Sequence, residues 1–144
     1  MTITHRILLG ALAVVLSASH AQAQGYKVIA NAAVADGSLS HTQLSRLFLK
    51  QDAKFPGGAA AVPVDQVPAS PTRAAFSQSA LGRDVGNVRT FWQARIFTGR
   101  GVPPVEKSTD FEVMSYVAAT PGAIGYVSPT ASLMGGVKLL RIAQ

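Results

Sequence analysis

The chain has 144 residues, with 13 Lys and Arg against 7 Asp and Glu, a net charge of +6 and no cysteine. That composition excludes disulfides, thiol chemistry and attachment through a lipidated cysteine, so stability must come from packing. The basic balance favours anionic partners, among which phosphate, a lipid surface, polyanions and nucleic acid all fit.

Residues 1–23 read as a secretory signal peptide, with Arg6 in the positive region, Ile7 to Leu16 as the apolar region and Ala21-Gln22-Ala23 as the small-x-small cleavage site. The apolar run is about half of the ~20 residues that a membrane-spanning helix needs. Cleavage before Gln24 leaves 121 residues with 12 basic against 7 acidic side chains, net +5. That is enough for one domain, residues 24–144, with a proper core, but not for two. An exported protein rarely meets nucleic acid, so none is expected as a partner, and after cleavage the chain is not expected to span a membrane.

In chain order, Tyr26 to Ala30 predicts a first strand, short and rich in β-branched residues. After a loop over residues 31–37, Ser40 and Gln43 match a capping box, and Leu39 and Leu44 occupy the positions of a hydrophobic staple. That helix is expected to run to about Leu49, with Leu44, Leu47 and Phe48 towards a sheet. Residues 50–58 are loop, and Ala60 to Val64 predicts a second strand, in which Pro63 suggests an edge or a strand end.

Ser70-Pro71-Thr72-Arg73 is a compact helix start, with Ser70 as cap and Pro71 at the first helical position, where its missing N–H is not needed. This helix should end near Leu81-Gly82. Asp84 then caps another, whose Val85, Val88, Trp92 and Ile96 follow the helical period up to Thr98-Gly99. Val105 to Lys107 is a brief extended piece. Ser108 or Thr109 caps a last helix with Phe111, Met114, Val117 and Ala118 as its apolar residues, and Pro121-Gly122 turns the chain into a buried strand. Val137 to Ile142 supplies a final strand. Strands separated by amphipathic helices imply an α/β domain with a mixed sheet flanked by helices.

The segment Thr120-Pro121-Gly122-Ala123-Ile124-Gly125-Tyr126-Val127 closely resembles the "TPGAIGYV" of the phosphate-binding proteins of ABC transporters, members of the periplasmic solute-binding superfamily. Leu44 to Lys50 is similar to that family's "L..IFLGK" helix end, and Phe55-Pro56-Gly57-Gly58 to its "W.DG" turn. Phe97-Thr98-Gly99-Arg100-Gly101 resembles the corresponding stretch of short, single-lobe members. The resemblance runs from about Val28 to Ile142. It implies one lobe of a periplasmic-binding-protein-like fold, a periplasmic location, phosphate or another small oxyanion as ligand, and an ABC permease or an envelope sensor as partner.

The family's Arg-x-x-Asp-Gly-Ser-Gly-Thr loop corresponds to Asp65 to Arg73. Ser70 and Thr72 carry over as hydroxyl donors, while the family arginine falls at Asp65, its aspartate at Pro68 and its second glycine at Pro71, which removes a backbone N–H. An anion can still be held at a helix N-terminus by free N–H groups, with Arg73 adding a planar fork of donors. Asp65 would disfavour an anion, or would orient Arg73, or would accept a proton from a partly protonated ligand. The expected ligand-binding set is Ser70, Thr72, Arg73, Gln66, Asp65 and Arg100. The ordinary alternative is that Ser70 and Thr72 merely cap the helix while Arg73 and Arg100 lie in water.

Enzyme chemistry has little to work with. His41 is the one histidine beyond the leader, there is no paired-histidine metal spacing, and no Gly-x-Ser-x-Gly elbow or phosphate-loop glycine pattern is present. No cofactor is expected. Two functions of different kind remain: an exported oxyanion-binding module linked to transport or sensing, and a ligand-free adaptor for an envelope sensor, porin or transporter subunit.

Overall fold

The computed structural model describes residues 24–144. The expected signal peptide over residues 1–23 lies outside the described residues. Three helices pack on the two faces of a five-stranded mixed sheet and a fourth packs on one of those helices, in line with the alternation of strands and amphipathic helices. The strands are β1 (Lys27–Asn31), β2 (Ser38–Ser40), β3 (Val62–Gln66), β4 (Val105–Lys107), β5 (Ala123–Val127), β6 (Val137–Leu139) and β7 (Arg141–Ala143). The helices are α1 (His41–Phe48), α2 (Pro71–Ala80), α3 (Val85–Phe97) and α4 (Asp110–Ala119).

The sheet order is β4-β3-β5-β1-β6. Strands β3, β4 and β5 are mutually parallel, and β1 runs antiparallel to both β5 and β6. The single strand expected over residues 137–142 is divided at Leu140. Its first half extends the main sheet as β6, and its second half pairs in parallel with β2, a short strand that the sequence pattern does not reveal. Pro63 is tolerated in β3, although β3 is not an edge strand. Strand β4 pairs only with residues 64–66, so nothing at Pro63 asks for its missing N–H on that side.

The pleat sorts the core into two layers, because successive strand residues face opposite sides. Val28, Ala30, Ile124 and Tyr126 face α1 and α2, where they meet Leu44, Leu47, Phe48 and Phe76. Ile29, Val64, Ala123 and Val127 face α4 and meet Val113, Met114 and Val117. Gly125 lies on the α4 side, where an added Cβ would come within 2.8 Å of Val64 and 2.9 Å of Val113, so glycine is what lets α4 sit close to β5. Gly122 adopts φ of +77°, and a Cβ there would meet the Ala60 carbonyl at 2.1 Å. This is the Pro-Gly turn expected at the end of α4.

The helix caps form as expected. Ser40 and Gln43 make a reciprocal capping box on α1. Ser70, Asp84 and Thr109 cap α2, α3 and α4 by accepting from the backbone N–H three residues on. Two apolar assignments fail. Ile96 is 52% exposed and Phe111 is 67% exposed, so α3 buries only Val88 and Trp92, and the core face of α4 is Val113, Met114 and Val117. Helix α3 packs on α2 rather than on the sheet, so periodicity alone overstated how much of it has a surface to cover.

A buried polar network at the start of helix α2

The carboxyl ends of the parallel strands β3, β4 and β5 lie side by side, and α2 begins just beyond β3. In open α/β sheets this is where ligands lie, next to helix N-termini. Here the strand ends bring together Asp65 and Gln66 from β3, Glu106 from β4, and Tyr126 from β5 with Ser128 just after it. Helix α2 adds Ser70, Thr72 and Arg73.

Arg73 is the centre of the group. Only 4% of it is exposed, so it does not lie in water. One terminal nitrogen donates to the Gln66 carbonyl at 2.5 Å and to Glu106 Oε1 at 2.6 Å, and the other lies 3.2 Å from Asp65 Oδ2. Its Nε is buried without a hydrogen-bond partner among the described residues. Asp65 and Glu106 are register partners across β3 and β4, which places both carboxylates on one face of the sheet towards the same guanidinium. Of the roles open to Asp65, orienting Arg73 is the one the geometry shows.

Asp65 is also the most constrained acid. Its Oδ1 accepts from the Tyr126 hydroxyl and, at 2.9 Å, from the Gln66 backbone N–H. Burial pushes its pKa above the ordinary value, and this outweighs the opposing pull of Arg73 and of its hydrogen bonds. Burial, together with the charge of Asp65, likewise raises the Tyr126 phenol, which therefore stays protonated and donating. The Tyr126 ring stacks on Phe76 with centroids 3.9 Å apart and packs against Phe48 and Tyr26. The aromatic core thus fixes the hydroxyl that holds Asp65.

Gln66 ties the rest together. Its amide nitrogen donates to the Tyr126 carbonyl at 2.9 Å and to Asp110 at 3.3 Å, and its oxygen accepts from the Ser70 hydroxyl at 2.5 Å. Ser70 therefore acts twice, since the same oxygen accepts from the Arg73 backbone N–H at 3.2 Å. Asp110, in the first turn of α4, accepts from the Ser128 N–H and hydroxyl. Thr72, in the first turn of α2, is 9% exposed.

Four of the six expected ligand residues thus meet in one network, Asp65, Gln66, Ser70 and Arg73, while Thr72 lies in the first turn of α2 without joining it. Arg100 does not join them. It is exposed on the loop after α3, and its backbone N–H bonds to the Arg95 carbonyl. Among the described residues no cluster of three or more His, Asp or Glu could hold a metal ion. Sequence reasoning missed Glu106, Tyr126, Asp110 and Ser128 as members of the group. For Tyr126 a signal existed, a hydroxyl-bearing aromatic in an otherwise aliphatic buried strand. Glu106 carries none, because its role depends on strand register.

No protein-family model matches the sequence, and no curated protein matches it. Solved structures do. An ABC-type phosphate transport receptor from Vibrio cholerae superposes with a TM-score of 0.61 at 19% identity, covering 82% of this chain and 46% of the receptor. A Clostridium perfringens protein of the phosphate ABC transporter substrate-binding type, solved with bound phosphate, gives 0.65 at 20% identity, with coverages of 82% and 44%. The fold is that of the phosphate receptors. PstS from Borrelia burgdorferi agrees, with a TM-score of 0.63 at 10% identity and coverages of 83% and 47%. The chain spans less than half the length of these proteins, so the likeness concerns one part of their fold. No helix among the described residues is long and apolar enough to cross a membrane.

Proposed function

We propose that this chain is an exported, non-enzymatic solute-binding module that takes phosphate or a similar small oxyanion at the start of α2 and serves transport or sensing in the periplasm through an ABC permease or an envelope sensor. The observation that carries the reading is Arg73: a guanidinium 96% buried at a helix N-terminus capped by Ser70, with an unspent Nε donor. A helix N-terminus favours negative charge, and a planar guanidinium suits an oxyanion. The phosphate receptors that share the fold support the same ligand class.

The direct test is thermal unfolding of the protein, freed of ligand by unfolding and refolding, in phosphate, sulfate and chloride at matched ionic strength. Phosphate at 100 times its dissociation constant stabilises by about 2.7 kcal/mol, a rise of a few degrees. That rise is expected to vanish in Ser70→Ala. No selective rise up to millimolar phosphate would remove the oxyanion reading.

A second reading, a ligand-free adaptor for an envelope protein, is favoured by a different surface. Five large apolar side chains, Ile96, Phe97, Val102, Val105 and Phe111, are exposed within sixteen residues, and Phe97 is 93% exposed. Arg83, Arg89 and Arg95 precede that stretch, Arg83 and Arg95 over the Phe91 ring, and Arg100 lies within it; none of the four has a carboxylate within ion-pair distance among the described residues. Apolar patches rimmed by charge mark protein contacts.

A further inference from the structure

Resting on the oxyanion reading above, we propose that Glu106 is a built-in competitor for Arg73: its carboxylate occupies the guanidinium in place of a ligand, and oxyanion binding requires it to leave.

The two carboxylates that hold Arg73 are not equivalent. Asp65 is buried, accepts from the Tyr126 hydroxyl and the Gln66 N–H, and sits on an interior strand. Among the described residues the Glu106 carboxylate pairs only with Arg73, at 2.6 Å; its side chain is 39% exposed, and it stands on a three-residue strand at the outer edge of the sheet. Releasing Asp65 would strand a buried acid, whereas releasing Glu106 returns a half-exposed one to water.

Charge balance makes the release necessary. Asp65, Glu106 and Arg73 sum to −1, which a helix end of about +0.5 does not offset. A dianionic ligand would enter against a net negative site. With Glu106 withdrawn, the Asp65–Arg73 pair is neutral, the helix end is uncompensated, and the guanidinium, whose Nε is already unpartnered, regains for the ligand the terminal N–H that Glu106 gives up. Glu106 has somewhere to go. It lines an open hollow of about 560 Å3 with Lys107, Ser108 and Glu112, where water and the Lys107 cation, set against the Glu112 carboxylate, are there to receive it. A carboxylate in the resting site also sets the ligand class, since only an anion that matches Arg73 better than Glu106 displaces it.

The test is titration calorimetry with inorganic phosphate on the wild type, Glu106→Gln and Asp52→Asn. Asp52 pairs with Arg46 on the exposed surface, so its replacement changes net charge equally without touching the site. Glu106→Gln is expected to bind phosphate at least about tenfold tighter than the wild type, and Asp52→Asn to change affinity less than about twofold. Phosphate binding by the wild type that Glu106→Gln leaves unchanged or weakens would overturn the competitor role while leaving the oxyanion reading intact. An equal gain in Asp52→Asn would show a general charge effect and overturn it too. If Glu106→Gln, folded by its thermal transition, binds no phosphate at millimolar concentration, both the competitor and the oxyanion reading fall.

Discussion

Helices α2 and α4 both leave the carboxyl end of a parallel strand under a hydroxyl cap, Ser70 in one case and Thr109 in the other, yet they manage their N-terminal charge in opposite ways. Helix α4 carries its own acids in the first turn. Asp110 accepts from Ser128, and Glu112 reaches back to the Ser108 N–H at 2.8 Å. Helix α2 has no acid in its first turn and a buried arginine instead, so its countercharges, Asp65 and Glu106, come from two strands. A terminus compensated by its own first turn is closed. One compensated by distant side chains, of which one is half-exposed, can exchange a protein carboxylate for a ligand.

Arg73→Ala should break this contrast most severely. It leaves Asp65 buried without a counter-ion, and such losses cost about 3–5 kcal/mol. Urea unfolding at neutral pH would measure it; a loss under 1 kcal/mol would mean that Arg73 is not the keystone of the α2 end.

The second prediction concerns the pH dependence that Asp65 adds. Its pKa in the folded protein lies above its ordinary value of 3.8, so its contribution to stability is fully present below that value and is lost as pH rises through the raised one. Wild type should therefore gain on Asp65→Asn as pH is lowered from 7 towards 4. A gap that moved the other way would show Arg73 outweighing burial.

The caps sharpen the comparison at smaller scale. Ser70→Ala and Thr109→Ala should each cost about 1 kcal/mol through the lost cap. Ser70→Ala should cost more of the two, because it also frees the buried Gln66 oxygen. The smallest effect belongs to Glu106→Gln, which should change stability by less than about 1 kcal/mol, as expected for a half-exposed ion pair. A large loss there would make Glu106 structural.

Much of this was legible without coordinates because the signals are local. The caps at Ser40, Ser70, Asp84 and Thr109 each act over three residues, and the Pro121-Gly122 turn needs only its own backbone angles. Leu44, Leu47 and Phe48 reached the core as their spacing implied. Ile96 and Phe111 did not, because periodicity says which residues share a face but not whether another element arrives to cover it. The strand of residues 137–142 broke at Leu140 for a similar reason, since its two halves found different partners.

The candidate site divides along the same line. Sequence alone determined that Ser70, Thr72 and Arg73 open a helix next to a strand carrying Asp65 and Gln66, since all five lie within nine residues. Only the tertiary structure decided that Arg73 is buried and that Glu106, thirty-three residues away, holds it. That pairing follows from the Asp65–Glu106 register of β3 and β4, and register between strands separated by two helices is set by how the whole core packs rather than by any short run of residues.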